Sequence, residues 1–445
     1  MKLAYIIIII SGILITLPFS YPGLFFISWF GLLPFIFMLE DSSPLEAFKK
    51  GTVLGIIIFF MTAGWIYYPL VNYSGIPWFF SLILYIVLFV LLGTIFGVWA
   101  WVLVIIQGNK IRPILIALSW VMMEFVRYKL LGGLPFAFMA YTQVNFLSLI
   151  RFAKYGSFLI ISFVVILLNG LFYKLIKKKK LRFLIPIVII LVSIIIYGNL
   201  KINYYQNQNY QTIEAGIVNS NQEPEEKWAV TNIEDNMDYF IKETAKLQGI
   251  DLAIWPESSL TFDLIRNGYY RNMFMEKINT LNTYIQAGSI AIIDAENEIY
   301  NSSFLISPRE GIINRYNKIR LVPFGEYMPM ENIVKLLTGI EMVSEQAGEE
   351  IVLFSINSHS WKTAICSEIL YPEFVYFNKD QAGFIVNKSN EAWYRKGNLQ
   401  QQMWAAAIFR AVENRTSVVK AGNRAYSGLI TPWGEGVVKI FSGEE

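Results

Sequence analysis

Seven long apolar runs, at residues 4–20, 22–39, 51–71, 77–106, 111–126, 148–175 and 181–199, fill about three quarters of the first 200 residues. So much apolar surface is not compatible with a soluble fold. A helix of about 20 apolar residues, by contrast, spans the hydrocarbon core of a bilayer with its backbone hydrogen bonds satisfied internally. Residues 1–200 are therefore expected to form a transmembrane domain of about seven helices, the fourth run being long enough to tilt. The first run is read as a span and not a signal peptide, because no small-residue cleavage site stands out and further spans follow.

Orientation follows from the cationic residues of the short loops, which are retained on the cytoplasmic side. Lys2, then Lys49 and Lys50, then Lys110 and Arg112, then Lys177 to Lys180 with Arg182 occupy every second loop. An odd number of spans then carries residues 201–445 out of the cytoplasm. Arg127 and Lys129, at the outer end of the fifth run and preceded by Glu124, break the pattern. Two readings stand for them: an i, i+3 ion pair at the interface, or a cationic contact for a lipid phosphate, with Arg127 its centre. The following GGLPFAFMAYTQ, with its glycines and proline, is expected to be a re-entrant or interfacial loop.

Composition changes near residues 199–205, where charged residues, Asn and Gln replace the apolar runs. Strands are predicted at 212–218, 250–255, 283–291, 301–307, 361–366, 382–387, 416–421 and 427–431, with amphipathic helices near 228–248, 265–281 and 399–414. This alternation predicts an α/β layered domain over 201–445. A net charge of +3 over 445 residues argues against a nucleic-acid partner. One cysteine and one histidine leave no disulfide and no Cys/His metal cluster, so no metal site is expected.

Three neighbourhoods in the second half carry candidate chemistry: Glu257 in IWPES, Lys318 in YNKIRLVPFGEY and Cys366 in AICSE. Singly, each has an ordinary explanation as a solvated turn glutamate, a surface lysine or a buried thiol. Together they supply what a thiol attacking a carbonyl needs, a base for its proton and a cation for the developing oxyanion. His359 precedes the cysteine strand, at its far end from Cys366, and seven extended residues at about 3.3 Å each put roughly 23 Å between it and the thiol. It is read as a turn residue.

The order Glu, Lys, Cys in WPES, YNKIRLVPFGEY, ICSE and SNEAW resembles the carbon-nitrogen hydrolase (nitrilase) superfamily. With WVMMEFVR and GGLPFAFMAYTQ in the membrane half, the chain is similar over nearly its whole length to the apolipoprotein N-acyltransferase family; Trp120, Glu124, Arg127 and Pro135 carry that membrane match. The resemblance implies a multi-span α-helical membrane domain joined to a nitrilase-like αββα sandwich. Glu257 would be the general base, Lys318 the oxyanion stabiliser and Cys366 the nucleophile. Glu326 and Glu368 would support them, by charge pairing with Lys318 in the plainest reading, while Trp228 and Trp393 would be loop aromatics near the acyl site. Phe324, Tyr327 and Met328 would line the path of the acyl chain. The implied reaction moves a fatty acyl chain from a phospholipid, through a cysteine thioester, to the α-amino group of the N-terminal diacylglyceryl-cysteine of an apolipoprotein. It takes place at a bacterial inner membrane with the catalytic domain on the extracytoplasmic side.

No cofactor is implied, and a monomer is expected. Ser367 stands where the family has tyrosine, Glu391 where aspartate is commoner, and the family's final membrane helix is not found after KIFSGEE. Two alternatives use the same sequence: a membrane-tethered amidase that passes its acyl group to water, and a non-catalytic lipid-binding scaffold.

Overall fold

The seven apolar runs are all helical in the computed structural model, which describes residues 2–129, 134–206, 212–293, 298–339, 343–375, 382–394 and 397–443. Gly132 and Gly133 of the Gly-rich segment lie outside the described residues. Among the described residues, six segments are long and apolar enough to cross a membrane: Lys2–Ser20, Pro22–Asp41, Pro44–Asn72, Trp78–Ile105, Ala153–Lys178 and Leu181–Ile202. The fifth run forms the helix Arg112–Lys129, which carries Arg112, Glu124, Arg127 and Lys129 and is not among those six. The last helix continues to Gln206, slightly beyond the change in composition.

Lipid offers no hydrophobic drive to bring helices together, so close backbone approach at small residues matters. The helices Pro44–Ala63 and Trp78–Ile105 meet through two GxxxG faces. A Cβ on Gly51 would lie 2.4 Å from the Ala100 Cβ, and one on Gly97 would lie 2.4 Å from the Thr52 Oγ1.

The chain divides into two compact units, and the division does not follow sequence order strictly. The first contains residues 1–67, 78–208 and 397–413; the second contains 68–77, 209–396 and 414–445. The exchange of short segments escaped the composition reading because each is held by partners far away in sequence. In the first unit, the Gln402 side chain accepts from the Ala137 N–H at 2.7 Å and donates to the Thr62 carbonyl at 2.8 Å. Glu413 likewise accepts from the Ser157 hydroxyl at 2.6 Å.

The second unit is built on two six-stranded sheets. Their strands are β1 (Ala215–Ile217), β2 (Leu252–Ile254), β3 (Leu260–Asp263), β4 (Tyr284–Ile293), β5 (Glu298–Ser307), β6 (Gly311–Asn317), β7 (Leu353–Ile356), β8 (His359–Ile365), β9 (Phe384–Asn390), β10 (Ser417–Asn423), β11 (Tyr426–Ile430) and β12 (Gly436–Phe441). The first sheet runs β1-β2-β4-β5-β6 with β3 beside β4, and the second runs β12-β11-β10-β9-β8-β7. The pairs β1/β2, β2/β4, β8/β9 and β9/β10 are parallel.

The period-2 alternation of side chains sorts the layers. In β2, Ala253 faces a core shared with Met237, Phe240 and Phe274 of the helices Ile233–Lys246 and Gly268–Ile278. Its neighbours Leu252 and Ile254 face the other way, into a core with Trp361, Ile365 and Val386 of the second sheet. The expected layered α/β domain is therefore present. Strands β3, β6, β7 and β12 were not predicted; they are short, polar or, for β12, exposed along its length.

Candidate functional site

Parallel strands in layered α/β folds gather working groups at their carboxyl ends; Glu257 and Cys366 stand at such ends, and Lys318 stands at the end of β6, which pairs antiparallel with β5. Glu257 follows β2, Lys318 follows β6 directly, and Cys366 follows β8 directly. Cys366 has a left-handed backbone, φ 52°, at the turn from strand into the 3-10 helix Cys366–Leu370. Such a conformation costs a non-glycine residue of order 1 kcal/mol or more and persists where its surroundings enforce it. Here the Asn387 amide donates to the carbonyls of Ala364 at 2.9 Å and Cys366 at 3.3 Å.

Glu257 is the centre of the arrangement. One carboxylate oxygen accepts from the Asn301 amide at 2.8 Å and from the Lys318 ammonium at 3.4 Å, and the other accepts from the Asn390 backbone N–H at 2.8 Å. The Cys366 thiol is also hydrogen-bonded to this carboxylate. Lys318 is fully buried and pairs with Glu326 at 2.5 Å. Its backbone is fixed as well, N–H to the Asn301 carbonyl and carbonyl from the Gly348 N–H, both at 2.8 Å.

Protonation states follow from these contacts. Burial disfavours ionisation of Glu257, but Lys318, the Asn301 amide, the thiol and the Asn390 N–H outweigh it and hold the carboxyl below its usual range. Burial likewise opposes charge on Lys318, yet Glu326 and Glu257 hold it well above the ordinary lysine value. Burial and then Glu257 push the Cys366 thiol well up, against the opposing effect of Lys318. These contacts favour a carboxylate, an ammonium and a neutral thiol at rest.

The supporting glutamates divide their work differently from the shared charge pairing expected of them. Glu326 does pair with Lys318, and its other oxygen accepts from the Val322 N–H at 2.8 Å. Glu368, fully buried, binds instead to the backbone on both sides of the site. It accepts from the N–H groups of Ile319 at 2.8 Å, Arg320 at 3.1 Å and Ile365 at 2.7 Å, and from the Tyr316 hydroxyl at 2.8 Å. It thereby fastens the segment after Lys318 to the end of the cysteine strand.

Phe324 and Tyr327 lie in the same turn as Glu326, with Phe324 at φ 62° and its N–H bonded to the Tyr327 carbonyl at 2.8 Å; Met328 is buried. Trp228 is half-buried beside Lys227, whose ammonium donates to the Glu257 carbonyl at 3.0 Å. Trp393 packs edge-on against Tyr73 with ring centroids 5.0 Å apart. Glu391 forms a buried ion pair with Lys420 at 2.7 Å.

Arg127 does not stand apart for a lipid phosphate. It is 2% exposed, and its guanidinium donates to the carbonyls of Leu134 at 2.8 Å, Phe136, and Ala137 at 3.4 Å, over the ring of Phe138. Glu124 accepts from the Met139 N–H at 2.8 Å and the Trp120 indole at 2.9 Å. Both charges are thus turned onto the segment 134–143, which is irregular backbone over 134–138 and leads into the 3-10 helix Met139–Gln143. Polar backbone at that depth needs partners, and these side chains supply them.

Three contributors were not found from sequence. Asn301 bridges Glu257 and Glu326, with 3.4 Å to the latter, and Asn390 offers a backbone N–H, which no residue pattern betrays. The third is Glu345, pushed up to about 8 by burial and by Glu326, with its N–H on the Glu326 carbonyl at 2.7 Å. Lys227 is pushed down to about 8 by burial, opposed by Glu257.

A pH profile follows. Glu257 titrates below the usual carboxylate value and Lys318 above the usual lysine value, so acylation of Cys366 should be nearly flat from about pH 5 to about 7.5. Near pH 8, Glu345 gains a negative charge and Lys227 loses a positive one. Both changes make the pocket more negative and oppose thiolate formation, so the rate should fall. Single-turnover acylation measured against pH checks this, and Glu345→Gln should weaken the alkaline fall.

Comparison with known proteins was made with this geometry in hand. Residues 11–171 match the family model for the apolipoprotein N-acyltransferase N-terminal domain, and residues 206–445 match that for carbon-nitrogen hydrolase. The chain is 28% identical to the apolipoprotein N-acyltransferase of Geobacter metallireducens, over 98% of this chain and 87% of the relative. It is 27% identical to that of Rickettsia bellii, over 97% and 87%, and 27% identical to that of Aquifex aeolicus, over 97% and 94%.

Proposed function

Because the chain belongs to the carbon-nitrogen hydrolase family, in its membrane-bound apolipoprotein N-acyltransferase form, we propose that it acylates the N-terminus of lipoproteins through a thioester on Cys366. The observation that carries the residue assignment is the Cys366 thiol hydrogen-bonded to Glu257, whose carboxylate is held by Lys318, Asn301 and Asn390.

In the first half-reaction the sulfur of Cys366 attacks the ester carbonyl carbon of a phospholipid while Glu257 takes the thiol proton. The carbonyl oxygen becomes an oxyanion beside the Lys318 ammonium, which is already charged and fixed, so little reorganisation is needed. The carbon–oxygen bond to glycerol then breaks, and the departing oxygen receives the proton from Glu257, releasing a lysophospholipid. In the second half-reaction the free amine of a diacylglyceryl-cysteine N-terminus attacks the thioester, Glu257 takes a proton from nitrogen, and the carbon–sulfur bond breaks to return the thiol. The product is an amide.

Both substrates are held by their hydrocarbon chains in the bilayer, which accounts for a catalytic sandwich on a membrane domain. Phe324, Tyr327, Trp228 and Trp393 are assigned to the lipid-facing surroundings of the thiol. The alternation of cationic loops supports a catalytic domain on the extracytoplasmic side of the inner membrane.

Mass spectrometry of the sole cysteine tests the reaction. Incubation with a defined phospholipid should add one acyl chain, labile to hydroxylamine, and a diacylglyceryl-cysteine peptide should then remove it as an N-acyl product. Absence of the adduct, or its loss to water at the same rate without the peptide, would overturn the proposal.

A further inference from the structure

The turn that presents Glu257 is held by two sets of contacts, and only one has a plain structural explanation. On the β4 side, Gly288 presses against it: a Cβ there would lie 2.5 Å from the Ser258 nitrogen and 2.8 Å from the Pro256 carbonyl oxygen. The Ser259 hydroxyl completes that side, accepting from the Gly288 N–H at 3.0 Å. Ser258 is consequently bent into a left-handed conformation, φ 48°, a strained state that reverts if its surroundings relax. The same turn also meets a lysine. Lys227 is fully buried, and among the described residues the partner of its ammonium is the Glu257 carbonyl at 3.0 Å.

Burying an amine is costly, and a neutral donor of similar reach would satisfy one carbonyl with less desolvation. A second buried amine, Lys388, lies within electrostatic reach of the same carboxylate. It donates to the Ser303 hydroxyl at 3.1 Å, and burial drives it well below the usual lysine value despite Glu257. Lys227 differs in being bonded to Glu257's own backbone and in retaining its proton at neutral pH, since burial brings it down only to about 8. It is the last residue of the helix Pro224–Lys227, immediately before Trp228, and its carbonyl accepts from the Asn236 amide at 2.9 Å. One residue therefore joins the turn of the base to the loop that carries Trp228.

We propose that Lys227 is a positioning residue for Glu257, clamping the strained turn so that the carboxylate stays aligned with the Cys366 thiol. The proposal rests on Glu257 acting as the base. Misplacement of a reacting group by about 1 Å can cost on the order of 100-fold, and Lys227 holds the backbone carbonyl of Glu257, whereas Asn301, Lys318 and Asn390 hold its carboxylate.

The test uses the full chain in detergent and two reagents for its sole cysteine, iodoacetamide and a dioleoyl phospholipid in mixed micelles. Lys227→Met should slow both reactions of Cys366 by about 10- to 100-fold, with an unchanged KM for phospholipid and an unchanged melting temperature. Lys227→Gln, which keeps an N–H donor, should recover part of the rate. Wild-type alkylation in Lys227→Met would overturn the proposal, as would a change confined to KM, which would assign Lys227 to the lipid-facing loop. Should Lys227→Met fail to fold, a folded Lys227→Gln with a full wild-type rate overturns it equally, and a folded one with reduced kcat supports it. The two readings separate cleanly. If no thioester forms in the wild type but alkylation depends on Lys227, the acyl-transfer reading falls and the clamp stands; if thioester forms and alkylation ignores Lys227, the reverse holds.

Discussion

Cys366→Ser should retain the fold and lose acyl-enzyme formation by a factor on the order of 10⁶, the scale seen when a catalytic nucleophile is removed. Oxygen and sulfur are close enough in size for the serine hydroxyl to occupy the same place beside Glu257. The difference is chemical. Glu257 is held below the usual carboxylate range, which makes it a weak base, sufficient for a polarisable thiol during attack but not for an alcohol. The expected signature is an unchanged melting temperature, no hydroxylamine-labile adduct and no lysophospholipid release. Substantial turnover by the serine variant would move the nucleophile elsewhere in the chain.

Lys318→Ala should have the second largest effect, and a composite one. Removing an oxyanion donor costs about 100- to 1,000-fold in acylation, or about 3–4 kcal/mol in the transition state. Lys318 also neutralises two carboxylates, Glu257 at 3.4 Å and Glu326 at 2.5 Å. Breaking a buried pair by deleting one partner costs about 3–5 kcal/mol in stability, because the charge left behind has no compensation. The melting temperature should therefore fall, in contrast to Cys366→Ser. The residual activity should also respond differently to pH. Lys318 is the strongest of the influences that lower Glu257, so without it the carboxyl titrates higher and the acid limb moves to higher pH. Near-normal acylation at neutral pH, or an acid limb that does not move, would remove Lys318 from the oxyanion role.

The seven apolar runs, and the strands that lead to Glu257 and Cys366, were legible in the sequence because each is a local pattern. Hydrophobic length declares a helix, and a run such as IDLAI or WKTAI followed by a polar turn declares a strand with a residue at its carboxyl end. Strands β3, β6 and β12 were not legible: LTFD and GIINRYN are rich in polar residues, and GVVKIF lies exposed at a sheet edge. Arg127 was read by its position at the end of an apolar run, where a cation normally meets headgroups. Its burial depended on the loop carbonyls folding back onto it, and no spacing in the sequence carries that information.

Sequence alone determined that this chain places a helical membrane bundle before an α/β domain, and that a carboxylate and a thiol, Glu257 and Cys366, follow separate strands of it, since periodicity and residue chemistry are properties of short segments. Tertiary structure decided everything that depends on distant partners. It brought the Asn390 N–H to Glu257 across 133 residues of chain, put Asn301 between two glutamates, turned Glu368 onto the backbone, and buried Lys227 under the turn of the base. The physical reason is that a buried polar group must find its partner wherever the fold supplies one, and that choice is made by packing.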